Sequence, residues 1–368
     1  MTTVDLVAIV LWVGVTLYAV FGGADFGAGF WDLAAGGTER GRAPRTLIAD
    51  AIAPGWEANH TWLIFDLVIL WTAFPPAFAS IMSTLFIPLT LAGFGIVLRG
   101  SAFAFRPVAD RLEGRRLAGA VFAASSILTP FFLGAAAGAI ASGRVPVGNA
   151  AGDPWSSWLT PTSLLVGVLA VVVCAYLAGV FLVSDARRVG SAELERYFRG
   201  RAMTAAIVTG ALAMAGIVVL AVDAPVLAGE LVRRGWPLIV GSAIFGLAAL
   251  VQLARGRTTG ARILAAGAVT AVIWGWGIAQ YPYILPGELT LADAAAPPAT
   301  MGALLLIFTV ALLVIGPSLA LLYLLDQRSR FVGHGVGIDA DVRDAEPVDA
   351  EAVGAGDTEA SGPGAGSR

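Results

Sequence analysis

Long apolar runs, interrupted at intervals by short arginine-bearing segments, dominate the chain. A helix needs about 20 mostly apolar residues to cross ~30 Å of hydrocarbon. Nine stretches qualify: 4–25, 51–74, 77–98, 117–141, 162–183, 202–222, 236–254, 261–284 and 300–325. The second and third are parted only by the Pro-rich turn Phe74-Pro75-Pro76-Ala77-Phe78. Proline there stops one helix and opens the next. The pattern predicts an all-α polytopic membrane protein. The first run has no basic flank and no small-residue cleavage site, so it reads as a retained span rather than a signal peptide. From residue 328 the chain turns acidic and rich in Gly and Ala. Such a segment cannot bury enough apolar area to order itself. The expected division is a membrane domain over 1–327 and a disordered acidic cytoplasmic tail over 328–368.

The arginines orient the spans. All 23 basic residues are arginine. All but Arg144, Arg233 and Arg234 fall in the loops after the first, third, fifth and seventh spans or in the tail. Arg99 is counted with the loop after the third span. Arginine gathers on the cytoplasmic side, so the N-terminus is expected outside and the C-terminus in the cytoplasm.

Composition narrows the class further. Of 368 residues, 57% are hydrophobic and 13% charged, about half the charged share of a soluble domain. A soluble enzyme, a nucleic-acid binder and a disordered protein are excluded, while the net charge of −3 says nothing about partners. One cysteine, Cys174, makes no intrachain disulfide and reads as a small buried apolar residue.

Ionisable groups are costly in hydrocarbon, at about 2.5–3.5 kcal/mol for Asp at a helix centre, so polar residues inside spans mark candidate function. They concentrate in Gly22–Gly29, which holds Asp25, and in Pro54–Leu67, which holds Glu57, Asn59, His60, Thr61 and Asp66. At 100° per residue, Glu57, His60 and Thr61 lie within about 60° of one another, while Asn59 and Asp66 share a second stripe. Glu57 and Asp66 point to opposite sides, about 14 Å apart along the axis. Asp25 and Glu57 are expected near the cytoplasmic boundary, with Asp66 deeper. This layout suits carboxylates that load and release protons. Other readings stand beside it. Asp25 is equally a hydrogen-bonding group at a helix end, with neighbouring glycines allowing close approach. Asp66 also reads as a carboxylic acid satisfied by one bond to a facing helix, and His60 as a haem ligand, a relay member or a plain hydrogen-bonding group. Most tryptophans fall near span ends, as interfacial anchors do; Trp56 and Trp62 also flank the polar cluster and are placed to pack on a cofactor or partner.

Haem needs axial ligands, usually His, Met or Cys. Of the two histidines, His60 lies in a span and His334 in the tail. No metal or redox centre is expected in this chain. Buried carboxylates without redox ligands suggest a proton-coupled secondary transporter, the proton-handling partner of a redox subunit, or a purely structural subunit.

Five segments in order resemble subunit II of the cytochrome bd-type quinol oxidases, over about residues 5–327. The most specific is Ile52–Ile64, where the family typically reads I-x-P-x-W-D-G-N-[EQ]-x-W-L-I; Trp56, Asn59 and Trp62 keep that pattern. Gly22–Gly29 matches the family's G-F-D-x-G-x-G and places Asp25 on its carboxylate. The others are Thr129–Pro146 with its spaced glycines, Ala192–Ala202, and Gly277–Pro286 followed by Leu289–Ala294. Glu57 replaces the commoner Asp, Ala58 replaces Gly, His60 replaces Glu or Gln, and Asp66 falls where many members are non-ionisable, so a divergent branch is indicated. The resemblance implies nine helices in two four-helix bundles plus a peripheral helix, in a bacterial cytoplasmic membrane. It implies a heterodimer with a subunit I that carries two b-type haems and one d-type haem and oxidises quinol. It leaves room for a structural quinone and for a small single-span accessory subunit. It further implies that this chain supports subunit I and supplies cytoplasmic protons for reduction of oxygen to water. Glu57 and Asp25 are then the carried-over acids of the path, with His60 and Asp66 as further members.

Overall fold

A computed structural model describes residues 1–37, 40–52, 56–105, 112–258 and 260–332. The chain divides into two units, Met1–Leu306 and Ile307–Arg368. The described part of the second is helical to Val332. The expected tail beyond Val332 lies outside the described residues.

The first unit is built from helices that pass back and forth between two ends. Helix α1 (Thr3–Leu17) starts on a capping box between Thr2 and Asp5, runs through a π-helical turn at Tyr18–Gly22, and continues as α2 (Gly23–Leu33). A short amphipathic helix α3 (Arg42–Ile52) precedes α4 (Trp56–Ala73). Pro75 and Pro76 open α5 (Pro75–Thr84), as the proline turn predicts, and α6 (Phe86–Phe105) follows a break at Leu85. Then come α7 (Leu112–Ala141), α8 (Pro161–Arg188) and α9 (Ala192–Asp223). Helix α10 (Pro225–Glu230) leads through a second π-helical turn at Leu231–Gly235 into α11 (Trp236–Ala254). Helix α12 (Ala261–Gln280) is followed by a small antiparallel pair, β1 (Tyr283–Leu285) with β2 (Leu289–Thr290), a turn of helix α13 (Leu291–Ala294), and α14 (Pro298–Val332).

Among the described residues, eight helices are long and apolar enough to cross a membrane. The second expected span, α4, is not among them. Its 18 residues include Glu57, Asn59, His60 and Asp66, and that polar content lowers its apolarity below what lipid exposure all round would require. Several boundaries differ from expectation. The first helix run extends to Leu33, the third to Phe105, and α9 begins at Ala192. Helices outrun the apolar stretch because their hydrogen bonds close internally whether or not the last turns lie in lipid.

Polar ties gather at the two ends. At one end, Arg45 pairs with Asp32, Arg187 with Glu195, and Arg262 and Arg188 with Asp185; Arg187 also donates to Thr258 and to the Gly256 carbonyl. At the other, Arg144 pairs with Asp223, Arg233 and Arg234 with Glu230, and Arg234 donates to the carbonyl of Tyr281, whose hydroxyl donates to Asp5. Small residues set the helix spacing. A Cβ on Gly134 would sit 2.8 Å from the Val166 carbonyl oxygen, one on Gly138 2.7 Å from Ser163 Cα, and one on Gly167 2.8 Å from the Phe131 carbonyl oxygen. Glycine therefore lets α7 and α8 touch backbone to backbone, the close packing that membrane helices use in place of a hydrophobic drive.

Candidate functional site

The two polar segments meet where α2 packs against α7 and α8 and is reached by side chains of α4 and α6. Gly27 and Gly29 seat α2. A Cβ on Gly27 would fall 1.8 Å from the Cys174 carbonyl oxygen of α8, and one on Gly29 2.1 Å from Ser126 Oγ of α7. Trp31 Nε1 locks the same contact by donating to the Ala175 carbonyl at 2.8 Å. Asp25 is thereby held in the interior, 8% exposed. It stands nine residues before the helix end at Ala34, or ~13 Å along the axis.

Asn59 of α4 donates through Nδ2 to the Asp25 carboxylate, and the same nitrogen lies 3.5 Å from the Phe21 carbonyl in the π-helical turn. The His60 ring packs edge-on against Tyr18 and Phe26, with centroids 6.3 and 5.9 Å away. Asp66, 9% exposed, lies deeper and faces α1, where Gly14 makes room: a Cβ there would sit 2.0 Å from Asp66 Oδ1. That oxygen has no hydrogen-bond partner among the described residues. Asn59 and Asp66 share one face, as their spacing predicts, and that face turns toward the first helix run. Trp62 packs edge-on against Phe65 at 6.0 Å. Trp56 and Glu57 begin α4, and their side chains lie outside the described residues.

Arg99 corrects the sequence reading. The sequence places it in an arginine-bearing loop, yet it lies inside α6 at 2% exposure. Its Nη2 donates to the Asp25 carbonyl at 2.7 Å and its Nε to Ser126 Oγ at 3.0 Å. The guanidinium lies 5.0 Å from the Phe26 ring centroid and 4.8 Å from that of Phe122. Rigid donors and a weakly hydrated, stackable plane suit arginine to such burial. Its charge and that of Asp25 act on one another. The available signal was the apolar Ala102-Phe103-Ala104-Phe105 that follows Arg99 and carries the helix past it. Tyr18 is the other group the sequence did not flag; its hydroxyl is buried beside the same cluster.

The site therefore combines a buried carboxylate, an amide bonded to it, a fixed cation beside it, and a second buried carboxylate deeper along the same helix face. Among the described residues no group of three or more His, Cys, Asp or Glu side chains is placed to hold a metal ion.

Comparison with known proteins gives a consistent result. The chain is 25% identical over 338 residues to Cytochrome bd-I ubiquinol oxidase subunit 2 of Escherichia coli (strain K12), covering 79% of this chain and 86% of that one. It is 32% identical over 112 residues to Cytochrome bd ubiquinol oxidase subunit 2 of Bacillus subtilis (strain 168), covering 30% of this chain and 32% of that one. Its fold resembles a chain in the structure of bd oxidase from Geobacillus thermodenitrificans, with TM-score 0.71, 26% identity, and coverage of 88% of this chain and 98% of the other. A family model described as Cytochrome bd terminal oxidase subunit II matches residues 3–325. With glycine-seated Asp25 bonded to Asn59 and almost the whole membrane region matched, this chain belongs to the cytochrome bd terminal oxidase subunit II family.

Proposed function

We propose that this chain is the subunit of a bd-type quinol:oxygen oxidoreductase that supports a haem-bearing subunit I and carries protons toward it from the cytoplasmic side. The observation behind this reading is the buried Asp25–Asn59 hydrogen bond beside Arg99. It joins the two polar segments of the sequence inside a membrane protein, where an isolated carboxylate would be costly. Nine alternating passages are supported by polar ties between loops that the arginine pattern assigns to the same side, and an N-terminus outside is supported by the arginine distribution itself. Membership of the family supports a bacterial cytoplasmic membrane and the two-bundle arrangement that the resemblance implies.

In this mechanism Glu57, at the start of α4, takes up protons near the inner boundary. Asn59 orients the Asp25 carboxylate, and Arg99 keeps a fixed positive charge beside it. His60 and Asp66 continue the path along α4. Haems in subunit I supply the electron transfer and oxygen reduction. Protons drawn from the inner side make turnover electrogenic, at about 2.3 kcal/mol per charge per 100 mV.

The test is oxygen consumption per haem by the purified complex. Glu57→Gln and Asp25→Asn are each expected to lower turnover about tenfold or more, with haem absorption retained. Normal turnover in Glu57→Gln refutes the relay. A lower yield of assembled complex with unchanged turnover per haem assigns these residues to structure alone.

A further inference from the structure

A second site lies at the end of the bundle where Asp32 and Arg45 sit, between the last turn of α2 and the first turns of α9. A cavity of about 600 Å³ opens there against Trp31, Arg196, Tyr197, Gly200, Arg201 and Thr204. Tyr197, Gly200, Arg201 and Thr204 recur at helical spacing, so they form one face of α9. Gly200 leaves the space open, since a Cβ on it would meet nothing within 4 Å.

The arginines here differ from their neighbours. Arg187, Arg188 and Arg262 spend the nearby carboxylates of Asp185 and Glu195. Arg196 and Arg201 have no carboxylate partner among the described residues; their only described hydrogen bonds go to carbonyls of their own helix, Ala192 and Tyr197. Arg201 is also pinned flat on the Tyr197 ring, 3.4 Å from its centroid. Two guanidinium groups on one cavity are therefore left with unused donors, in a geometry suited to phosphate oxygens.

The depth of the cavity selects the source of the phosphate. Helix α9 has 32 residues, or ~48 Å, against ~30 Å of hydrocarbon. Its far end is fixed by Asp223, which pairs with Arg144 and accepts from the Thr162 backbone N–H. Counting ~20 residues back from Asp223 reaches the turn of Arg201 and Thr204. The cavity thus lies in the headgroup layer, with Tyr197 at the level where aromatic side chains settle.

We propose that this cavity binds the headgroup of an anionic phospholipid, its phosphate held by Arg196 and Arg201 and its glycerol region against Trp31 and Tyr197. The site is separate from the Asp25 cluster, and its failure would leave the proposed proton path untouched.

Native mass spectrometry of the intact, detergent-purified complex tests this. Delipidated complex is titrated with short-chain phosphatidylglycerol, with phosphatidylcholine of equal chain length, and with inorganic phosphate. Wild type is expected to retain one more phosphatidylglycerol than Arg196→Gln/Arg201→Gln, whose affinity falls about tenfold or more. Gly200→Leu fills the cavity without changing charge, at a position where leucine favours helix, and is expected to lose the same lipid. It decides the matter alone if the double variant does not accumulate. Equal retention in wild type and Gly200→Leu overturns the proposal. Displacement by phosphatidylcholine at equal concentration, or by inorganic phosphate with the potency of the lipid, overturns it as well, the latter identifying a free-anion site.

Discussion

Replacing Arg99 by leucine will nearly abolish accumulation of the assembled complex, with a destabilisation of about 3–5 kcal/mol. Arg99 is among the largest fully buried side chains of the protein. Leucine would remove the donors to the Asp25 carbonyl and to Ser126 Oγ, and the cation between Phe26 and Phe122. It would also leave the Asp25 carboxylate without its neighbouring positive charge and open a void that close-packed helices fill poorly. Haem absorbance per milligram of membrane protein measures the result. Arg99→Lys is expected to recover only part of the yield, because an ammonium cannot stack between two rings while reaching both acceptors. Adding Asp25→Asn to Arg99→Leu is expected to restore about 1–3 kcal/mol if charge is the main term. No recovery in the double variant would assign the loss to packing.

Gly27→Val is expected to cost about 3 kcal/mol or more and to prevent stable assembly. The nearest atoms to a new Cβ are the Cys174 carbonyl oxygen and carbon at 1.8 and 2.3 Å. These are backbone atoms of a helix and cannot swing aside, so α2 must lift from α8. That movement breaks the Trp31–Ala175 bond and shifts Asp25. Gly23→Ala, one turn away, is the control. Its Cβ would lie 3.4 Å from Leu177 Cδ1 and 3.5 Å from Cys174 Sγ, ordinary contact with side chains. Thermal inactivation of the two variants in parallel should separate them clearly. Equal stability would mean that the α2–α8 contact is not the constraint described here.

The sequence by itself determined the polytopic helical class and where polar residues gather within it. Apolar runs of membrane-spanning length and loops marked by arginine follow from the cost of exposing backbone and charge to hydrocarbon, and that cost is written locally in residue order. The same cost made Asp25, Asn59, His60 and Asp66 conspicuous, and the spacing of Asn59 and Asp66 put them on one face of α4, which the structure turns toward the first helix run. Tertiary structure alone decided the partners. Whether an arginine at the end of an apolar run continues inward or stops at the boundary depends on what the facing helices offer. For Arg99 they offer a carbonyl on α2, a hydroxyl on α7 and two aromatic rings. These acceptors lie 27 and 74 residues away in sequence, so no local pattern could show that the charge would be satisfied in the interior. The glycines were visible as small residues, but which of them carry helix contacts follows only from the way α2, α7 and α8 cross.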